Sequence, residues 1–342
     1  MNLNEKFDLV TRNLKEVLGM NELKESLKKK DFSVYWGTMP TGSVSLAYFF
    51  PMLKISDFLR AGLKVKILIA DLHAALDGVS WKLLDKRFEY YRRAILLILR
   101  VIGADSRKLE FIRGKDIQLN KNYFEDLLKL STISSVRVCK KAASEAVKSA
   151  QGEQVRLSGL IYPLMQALDE EYLGVDAQFA GLDQRKILVY AREYLPRIGY
   201  RSRIELMNPM IRGLSGGKMS SSVESSKIGL LDSEEKVISK VKKAYFVEGD
   251  VENGIMDFLR YVIMTLKEDR GESFVVQRSK KYGGNAKFSN YGEIEEAVLS
   301  KRIHPLDLKN AVAQEINKLL KGIRNDKELN KLYKEAYQNE SS

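Results

Sequence analysis

The sequence predicts an α/β fold, in which a doubly wound parallel sheet of the Rossmann type is followed by a mostly helical C-terminal domain. Two observations lead to this prediction. Short β-type runs alternate with helical stretches through the first part of the chain, and the last part is mostly helical, with Lys and Arg spread along it. Such alternation produces parallel sheets covered by helices, and ligands bind at the carboxyl ends of their strands.

The individual elements follow from residue type and spacing. Runs rich in β-branched and aromatic residues predict strands over 32–37, 65–70, 109–112 and 175–179. Apolar residues at helical spacing predict helices over 46–59, 81–103, 121–150, 157–173 and 184–194. Residues 1–30 also have helical spacing, and we predict that they form two helices.

A change of composition marks the predicted domain boundary. Residues 213–228 are rich in Gly, Ser and Lys, and Asp232 with Glu235 three residues later predicts a capping box at the start of a new helix. We therefore place the boundary near residue 231. The predicted parts are an N-terminal helical preface (1–30), a sheet domain (31–231) with a helical insertion at about 105–150, and a helical domain (232–342).

Composition and charge exclude several classes of protein. The 342 residues include 57 Lys and Arg against 45 Asp and Glu, and this net charge of +12 favours polyanionic partners. The longest apolar runs are interrupted by Lys66 and Arg100, so they are too short for the ~20 residues of a membrane-spanning helix. One cysteine and two histidines argue against a disulfide or a metal site, and no targeting segment is recognised. We expect a cytoplasmic protein that has no membrane partner.

Two Gly-containing segments could bind phosphates. In the segment 35–48, YWGTMPTGSVSLAY, a strand turns into a helix, and the small residues Gly37, Gly42 and Ala47 would let a nucleotide approach the main chain. The segment 216–222, GGKMSSS, is a Gly/Ser loop whose Lys218 could neutralise a departing pyrophosphate. Composition leaves an alternative open for each segment. The first could be only a tight connection between two elements, and the second could be only a flexible linker.

Polar residues in two other segments suggest a small-molecule site. Tyr162, Gln166 and Asp169 are spaced so that they share one face of an otherwise apolar helix, which suits a ligand with an ammonium or a hydroxyl group. Asp183 and Gln184 directly follow a strand, where a carboxylate could hold ribose hydroxyls. An exposed polar face and a helix cap are the alternatives.

Together these motifs resemble one family. The ordered set is similar to that of class I aminoacyl-tRNA synthetases, in particular the archaeal and eukaryotic tyrosyl type, over about residues 30–320. The motifs that carry the resemblance are YWGTMPTG, ILIADLHA, IYPLMQALDEEYLGVDAQFAGLDQRK, LMNPMIRGLSGGKMSSS, YGGN and HPLDLKN. The resemblance implies a catalytic sheet domain and a helical anticodon-binding domain.

The resemblance also implies which residues bind tyrosine. It places Tyr162, Gln166 and Gln184 at the ammonium of the substrate. It places Tyr35 and Asp169 at the phenolic hydroxyl, with Ala70 and His73 lining the pocket. A buried acceptor such as Asp169 would be left unpaired by phenylalanine, which gives a physical reason for selectivity.

For ATP, the resemblance implies the positions Gly37, Thr41, Gly42, Ala47, Gly181, Asp183 and Lys218. Lys218 and the three serines Ser220, Ser221 and Ser222 would act on the phosphates. The implied reaction joins tyrosine to the α-phosphate of ATP, which is accompanied by Mg²⁺, and then transfers tyrosine to tRNA(Tyr). It needs no tightly bound prosthetic group and no metal held by the protein.

One position departs from the family pattern. Ser45 stands where the family signature usually has a histidine that contacts ATP phosphates, so Ser45 becomes the expected phosphate donor. This departure leaves open a catalytically weakened tRNA-binding paralogue, and a tryptophanyl-type synthetase is the other alternative.

For RNA, the resemblance implies Arg185 near the acceptor stem, with Lys140 and Lys141 nearby. It implies Tyr282 and Asp307 at the first anticodon base, where an aromatic ring can stack and a carboxylate can accept hydrogen bonds from guanine. His304 is expected to be structural. The family is homodimeric, and the insertion at about 105–150 is the expected interface.

Overall fold

A computed structural model describes residues 1–152, 154–216 and 227–338. The chain divides into two compact units. The first unit comprises Met1–Thr41, Lys54–Arg92 and Ala104–Met210, and the second comprises Gly42–Leu53, Arg93–Gly103 and Ile211–Ser342. The boundary predicted near residue 231 therefore lies inside the second unit.

The first unit contains a six-stranded sheet. Its strands are β1 (Glu16–Leu18), β2 (Ser33–Thr38), β3 (Lys64–Ile69), β4 (Leu109–Arg113), β5 (Ala177–Gly181) and β6 (Ile204–Asn208). The order is β1-β6-β5-β2-β3-β4, and every pair is parallel except β1 with β6. This order confirms the doubly wound fold. It also places the reversal of winding between β2 and β5, where sheets of this kind bind ligands.

Two strands of this sheet, β1 and β6, were not predicted. The N-terminal preface holds α1 (Leu3–Thr11) and α2 (Met20–Ser26), but β1 lies between them and joins the sheet edge. It has only three residues, and its pairing partner β6 is far away in the sequence, so no local pattern reveals it. The strand β6 is buried along its whole length although it contains Glu205. This charged residue interrupts the apolar run by which a buried strand is recognised in a sequence.

Helices cover the sheet and form the insertion of the first unit. They are α4 (Asp71–Leu76), α6 (Gly114–Gln118), α7 (Lys121–Ile133), α8 (Val136–Ala143), α9 (Leu157–Tyr172) and α10 (Arg185–Tyr194). Two further helices, α3 (Phe49–Arg60) and α5 (Leu84–Ile102), contribute residues to both units. The region predicted as one helix over 121–150 is divided because Ser135 caps α8 by accepting the amide of Val138.

The second unit is mostly helical, as predicted. Its helices are α11 (Glu234–Lys243), α12 (Gly254–Phe258), α13 (Thr265–Asp269), α14 (Tyr291–Leu299), α15 (Pro305–Arg324) and α16 (Lys327–Tyr333). It also contains an unpredicted antiparallel hairpin of β7 (Phe274–Val276) and β8 (Ala286–Phe288). None of the helices in the described ranges is long and apolar enough to span a bilayer.

The start of α11 corrects one prediction. Ser233, not Asp232, is the N-cap and accepts the amide of Lys236. The Asp232 carboxylate instead accepts the amide of Gly229 and pairs with Lys236 and Lys240. The predicted N-cap was therefore one residue too early, and the N3 residue is Lys236 rather than a Glu that could complete a capping box.

Candidate active site

The polar face of α9 is buried in the first unit. Tyr162, Gln166 and Asp169 are all buried, and only 1% of Asp169 is exposed. The absence of a side chain at Gly159 lets the helix lie close to a neighbouring turn. A Cβ at this position would lie 2.6 Å from the Ala150 amide nitrogen. The alternative of an exposed polar face is therefore wrong.

Asp169 is held by two donors that sequence analysis did not identify. Gln118 Nε2 donates to Asp169 Oδ1 at 2.8 Å, and the Tyr123 hydroxyl donates to the same oxygen at 2.9 Å. Burial raises the pKa of Asp169 to about 7, and the two hydrogen bonds oppose this rise. Within the described residues Oδ2 accepts no hydrogen bond; His73 Nε2 lies 3.8 Å away.

Tyr35 is the second residue predicted to contact a phenol. It lies on β2 and is almost completely buried, and its hydroxyl is 3.5 Å from the Gln166 carbonyl oxygen. Burial and the nearby Asp169 carboxylate raise its pKa well above the usual value, so the hydroxyl stays protonated. Because 3.5 Å is a long hydrogen bond, this hydroxyl can still turn to a ligand.

The residues predicted to hold an ammonium leave acceptors unused. Among the described residues, the side-chain oxygens of Gln166 and Gln184 are buried and have no hydrogen-bond partner. Buried amide oxygens are rarely left unpaired, so these two atoms call for a donor. An ammonium group supplies up to three N–H donors and would satisfy both.

The remaining pocket residues lie at the start of α4, directly after β3. Ala70 is the N-cap residue of α4 and is buried, and the ring of His73 lies 4.5 Å from that of Tyr162, with the two rings nearly perpendicular. Burial lowers the pKa of His73 to about 3, so its ring is neutral. The structure thus brings the pocket residues of β2, α4 and α9 together in one unit.

Four of the residues predicted to bind ATP, Gly37, Thr41, Gly181 and Asp183, lie in the first unit close to the winding reversal. Gly37 is next to the carboxyl end of β2 and Gly181 ends the neighbouring strand β5. A Cβ on Gly181 would lie 2.6 Å from Asp183 Oδ1, so a side chain at this position would force the carboxylate to move. Thr41 follows β2, and its carbonyl oxygen accepts a hydrogen bond at 2.5 Å from Arg87, which sequence analysis did not identify.

The other predicted ATP residues belong to the second unit. Ser45 is buried and forms a β-bridge with Gly229, and its side chain caps nothing. The Leu46 amide donates to the Ile228 carbonyl at 2.8 Å, so it is not available to a phosphate. The Gly42 carbonyl accepts a hydrogen bond at 2.9 Å from Tyr337, and Ala47 lines a small apolar cavity.

The predicted helix start at residue 46 is a 3₁₀ turn, Leu46–Tyr48, and α3 follows it. The predicted catalytic residues Lys218, Ser220, Ser221 and Ser222 lie outside the described residues.

Two of the residues predicted near the acceptor stem line one groove. Lys141 and Arg185 face a groove of about 290 Å³ between α8 and α10, which Lys186 also lines, and Lys140 is exposed on α8. Arg185 makes two hydrogen bonds to Glu16, at 2.7 and 2.8 Å. The Arg185 guanidinium is therefore already paired in the free protein.

The predicted anticodon residues are accessible in the second unit. Tyr282 is 64% exposed in the connection between β7 and β8, where Lys281 Nζ lies 5.7 Å from its ring centre. Arg278, which sequence analysis did not identify, holds this connection through the carbonyl oxygens of Gly284 and Arg302. This exposure leaves the ring of Tyr282 open to stacking by a base.

Asp307 lies in the first turn of α15 and is half-buried. It does not cap that helix. The cap is His304, whose Nδ1 accepts the Leu306 amide at 3.2 Å, in agreement with the structural role expected for it.

Comparison with known proteins identifies the family. The pattern of the family described as tRNA synthetases class I (W and Y) matches residues 27–321. The chain belongs to this family. The chain is 50% identical to the cytoplasmic tyrosine–tRNA ligase of Gallus gallus over 98% of its own length and 64% of that relative. It is 44% identical to the cytoplasmic enzyme of Saccharomyces cerevisiae, covering 97% of this chain and 86% of that relative.

A solved structure with this fold is the Archaeoglobus fulgidus tyrosyl-tRNA synthetase complexed with L-tyrosine. It has a TM-score of 0.87 and 36% identity, and the match covers 94% of this chain and 99% of that one. The family resemblance inferred from the motifs is thus confirmed. The chain spans somewhat less than two thirds of the length of the vertebrate relatives.

Proposed function

We propose that this chain is a tyrosine–tRNA ligase that activates tyrosine with ATP and transfers it to the 3′ end of tRNA(Tyr). The observation that carries the proposal is Asp169, a buried carboxylate with one oxygen held by two donors and the other 3.8 Å from His73 Nε2. A phenolic O–H would pair with that second oxygen. Phenylalanine would leave it without a donor, and this makes the pocket selective for tyrosine.

The other end of the same pocket accommodates the ammonium. Gln166 and Gln184 offer their unpaired oxygens to the N–H donors, and the Tyr162 hydroxyl lies on the same helix face as Gln166. With both ends of tyrosine held, its carboxylate is free to attack the α-phosphate of ATP. Positioning of this kind can supply a large part of the rate enhancement.

The chemical step breaks the bond between the α- and β-phosphates, and pyrophosphate leaves with its growing charge. We assign the stabilisation of this charge to Lys218, Ser220, Ser221 and Ser222, with Ser45 as a weaker donor than the usual histidine. Mg²⁺ enters with ATP as part of the substrate. Gly37, Thr41, Gly42, Ala47, Gly181 and Asp183 are the proposed contacts to the nucleotide.

For tRNA, we assign Arg185, Lys140 and Lys141 to the acceptor stem. The groove supports this assignment because Lys141 lines it and because the exposed ion pair between Arg185 and Glu16 can open to a phosphate at little cost. We assign Tyr282 and Asp307 to the first anticodon base, and the exposed ring of Tyr282 supports stacking.

We further propose that the chain forms a homodimer through the helical insertion. Large apolar side chains are exposed there on and around α7: Leu119, Phe124, Leu128, Ile133 and Val136. A cluster of this kind is typical of a protein interface, and a second copy of the chain would cover it. The relatives named cytoplasmic tyrosine–tRNA ligases support a cytoplasmic location.

Pyrophosphate exchange with tyrosine, phenylalanine and tryptophan tests the proposal. We expect exchange with tyrosine alone, followed by charging of tRNA(Tyr). Exchange with tryptophan alone would indicate the tryptophanyl alternative. No exchange with any of the three, from protein that still binds tRNA(Tyr), would indicate a weakened paralogue.

A further inference from the structure

The helical insertion supplies both donors that hold Asp169. Gln118 is the last residue of α6, and Tyr123 lies in the first turn of α7. Both side chains are buried, and the single proton of the Tyr123 hydroxyl is shared between Asp169 Oδ1 and the Met165 carbonyl oxygen of α9, which lies 2.7 Å from the hydroxyl oxygen. Neither residue belongs to the set that was assigned to tyrosine above.

Gln118 also fixes the proton on His73. Its Nε2 is 2.8 Å from Asp169 Oδ1 and 3.1 Å from His73 Nδ1. With the Gln118 amide oriented so that its nitrogen lies between these two atoms, His73 Nδ1 accepts, and the ring proton of the neutral imidazole is assigned to Nε2. This N–H has no hydrogen-bond partner among the described residues.

The two unused atoms face each other. His73 Nε2 and Asp169 Oδ2 are 3.8 Å apart, so one hydroxyl oxygen can lie within hydrogen-bond distance of both. A phenol would donate its proton to Oδ2 and accept the Nε2–H. A phenylalanine ring could do neither, and both buried groups would stay unpaired.

We propose that Gln118 and Tyr123 are positioning residues that make the pocket selective for a phenolic hydroxyl. Tyr123 holds Asp169, and Gln118 orients Asp169 as the acceptor and His73 as the donor. This inference rests on the proposed function, because it requires that the phenol of tyrosine occupies this end of the pocket.

The backbone around Gln118 is built to hold its side chain. A Cβ on Gly114 would lie 2.8 Å from both Gln118 Oε1 and Asp71 Oδ1, so the absence of a side chain at Gly114 leaves room for both groups. Asp71 accepts the amide of Lys115 and pairs with Arg113. The helix that carries His73 is thereby tied to the turn that carries Gln118.

The chain offers a matched control for Tyr123. The ring of Tyr172 lies 4.8 Å from that of Tyr123, but its hydroxyl donates to Asp126 at 2.7 Å rather than to Asp169. Both tyrosines lose one hydroxyl from the same packed region when they are changed to phenylalanine. Only Tyr123→Phe removes a donor from Asp169.

The pH dependence of activity gives a second readout. The titratable groups that face Asp169 are Tyr123 on α7, His73 on α4, Tyr35 on β2, and Tyr162 and Glu170 on α9. His73 is neutral and the tyrosines stay protonated at ordinary pH. Removing a donor from the carboxylate raises the pKa of Asp169 further, so the acid limb of activity with tyrosine should move to higher pH.

The experiment measures kcat/KM for tyrosine and phenylalanine by pyrophosphate exchange in Tyr123→Phe, Gln118→Met, Tyr172→Phe and Asp169→Asn. For Tyr123→Phe and Gln118→Met we expect the tyrosine to phenylalanine ratio to fall by about tenfold or more, mainly through the value for tyrosine. The acid limb should also move to higher pH. Tyr172→Phe should leave the ratio and the acid limb as in the wild type, at a comparable melting temperature.

The outcomes separate this inference from the proposed function. If Asp169→Asn lowers the tyrosine to phenylalanine ratio while Tyr123→Phe and Gln118→Met leave it at the wild-type value, the positioning role is wrong and the proposed function stands. If Tyr172→Phe lowers the ratio as much as Tyr123→Phe, the effect is general packing and the inference is again overturned. If Asp169→Asn keeps the ratio, the proposed reader of the phenol is wrong, and this inference fails with it.

Discussion

The two ends of the proposed tyrosine pocket differ in how firmly their acceptors are held without a ligand. At the phenol end, Asp169 is already held by Gln118 and Tyr123. At the ammonium end, the buried oxygens of Gln166 and Gln184 have no partner among the described residues. The ligand completes both ends, since His73 Nε2 at the phenol end also has no partner among the described residues, but only the acceptor that must discriminate is held in place before the ligand binds. Discrimination requires this order because a mobile acceptor could adapt to phenylalanine.

The largest expected effect comes from removing the reader at the phenol end. Asp169→Ala should abolish discrimination for the hydroxyl while the fold persists, because the apolar face of α9 is unchanged. Pockets built around a substrate hydroxyl, tyrosyl-tRNA synthetases among them, reject the analogue that lacks it by roughly 10⁴–10⁵. The ratio of kcat/KM for tyrosine and phenylalanine measures the loss. A wild-type ratio in the variant would exclude Asp169 as the reader.

The next largest effect should come from a change that slows the chemical step and leaves both ends of the proposed pocket unchanged. Lys218→Ala should slow adenylate formation by about 10²-fold, because its charge is needed as pyrophosphate leaves, while tyrosine binding changes little. Single-turnover kinetics and equilibrium dialysis measure the two quantities separately. Equal losses in rate and in tyrosine affinity would contradict this role.

A change at the ammonium end should weaken substrate binding without altering the selectivity for tyrosine over phenylalanine. Gln166→Ala should raise KM for tyrosine and for phenylalanine alike by about tenfold, because both substrates carry the same ammonium group. The tyrosine to phenylalanine ratio should therefore stay within about twofold of the wild type. A fall of the ratio comparable to that in Asp169→Ala would remove the distinction between the two ends.

The smallest expected effect concerns Ser45. Its side chain makes no cap hydrogen bond, so Ser45→Ala should leave the melting temperature unchanged and lower the single-turnover rate by only a few fold, the share of one weak phosphate contact. A rate equal to that of the wild type would mean that Ser45 does not contact ATP. Ser45→His introduces the residue that the family usually has at this position, and we expect the single-turnover rate to rise by no more than about tenfold.

The crowding around Ser45 limits that gain. The residue is buried and bridged to Gly229, so an imidazole needs local rearrangement. A lower rate in Ser45→His would show that the site has adapted to serine.

Sequence patterns predicted the parts of this molecule that depend on local spacing. The polar face of α9 and the strands β2 to β5 follow from helical period, residue type and turn residues. Gln118 and Tyr123 could not be predicted from local spacing, because they lie about fifty residues before Asp169 and reach it only through the folded insertion. No periodicity connects such residues. The strand β1 was missed for the same reason, since three residues form a strand only when β6 is beside them.

Proton release on tyrosine binding is the most direct test of the central claim that Asp169 accepts the phenolic proton as a carboxylate. Because burial raises the pKa of Asp169 to about 7, most of the free protein carries a proton there at pH 6. A phenol that donates to the ionised carboxylate lowers this pKa, so binding must release that proton. Calorimetry in buffers of different ionisation enthalpy should therefore show release of nearly one proton at pH 6, almost none at pH 8.5, and none in Asp169→Asn. The same release at pH 6 in wild type and in Asp169→Asn would contradict the claim.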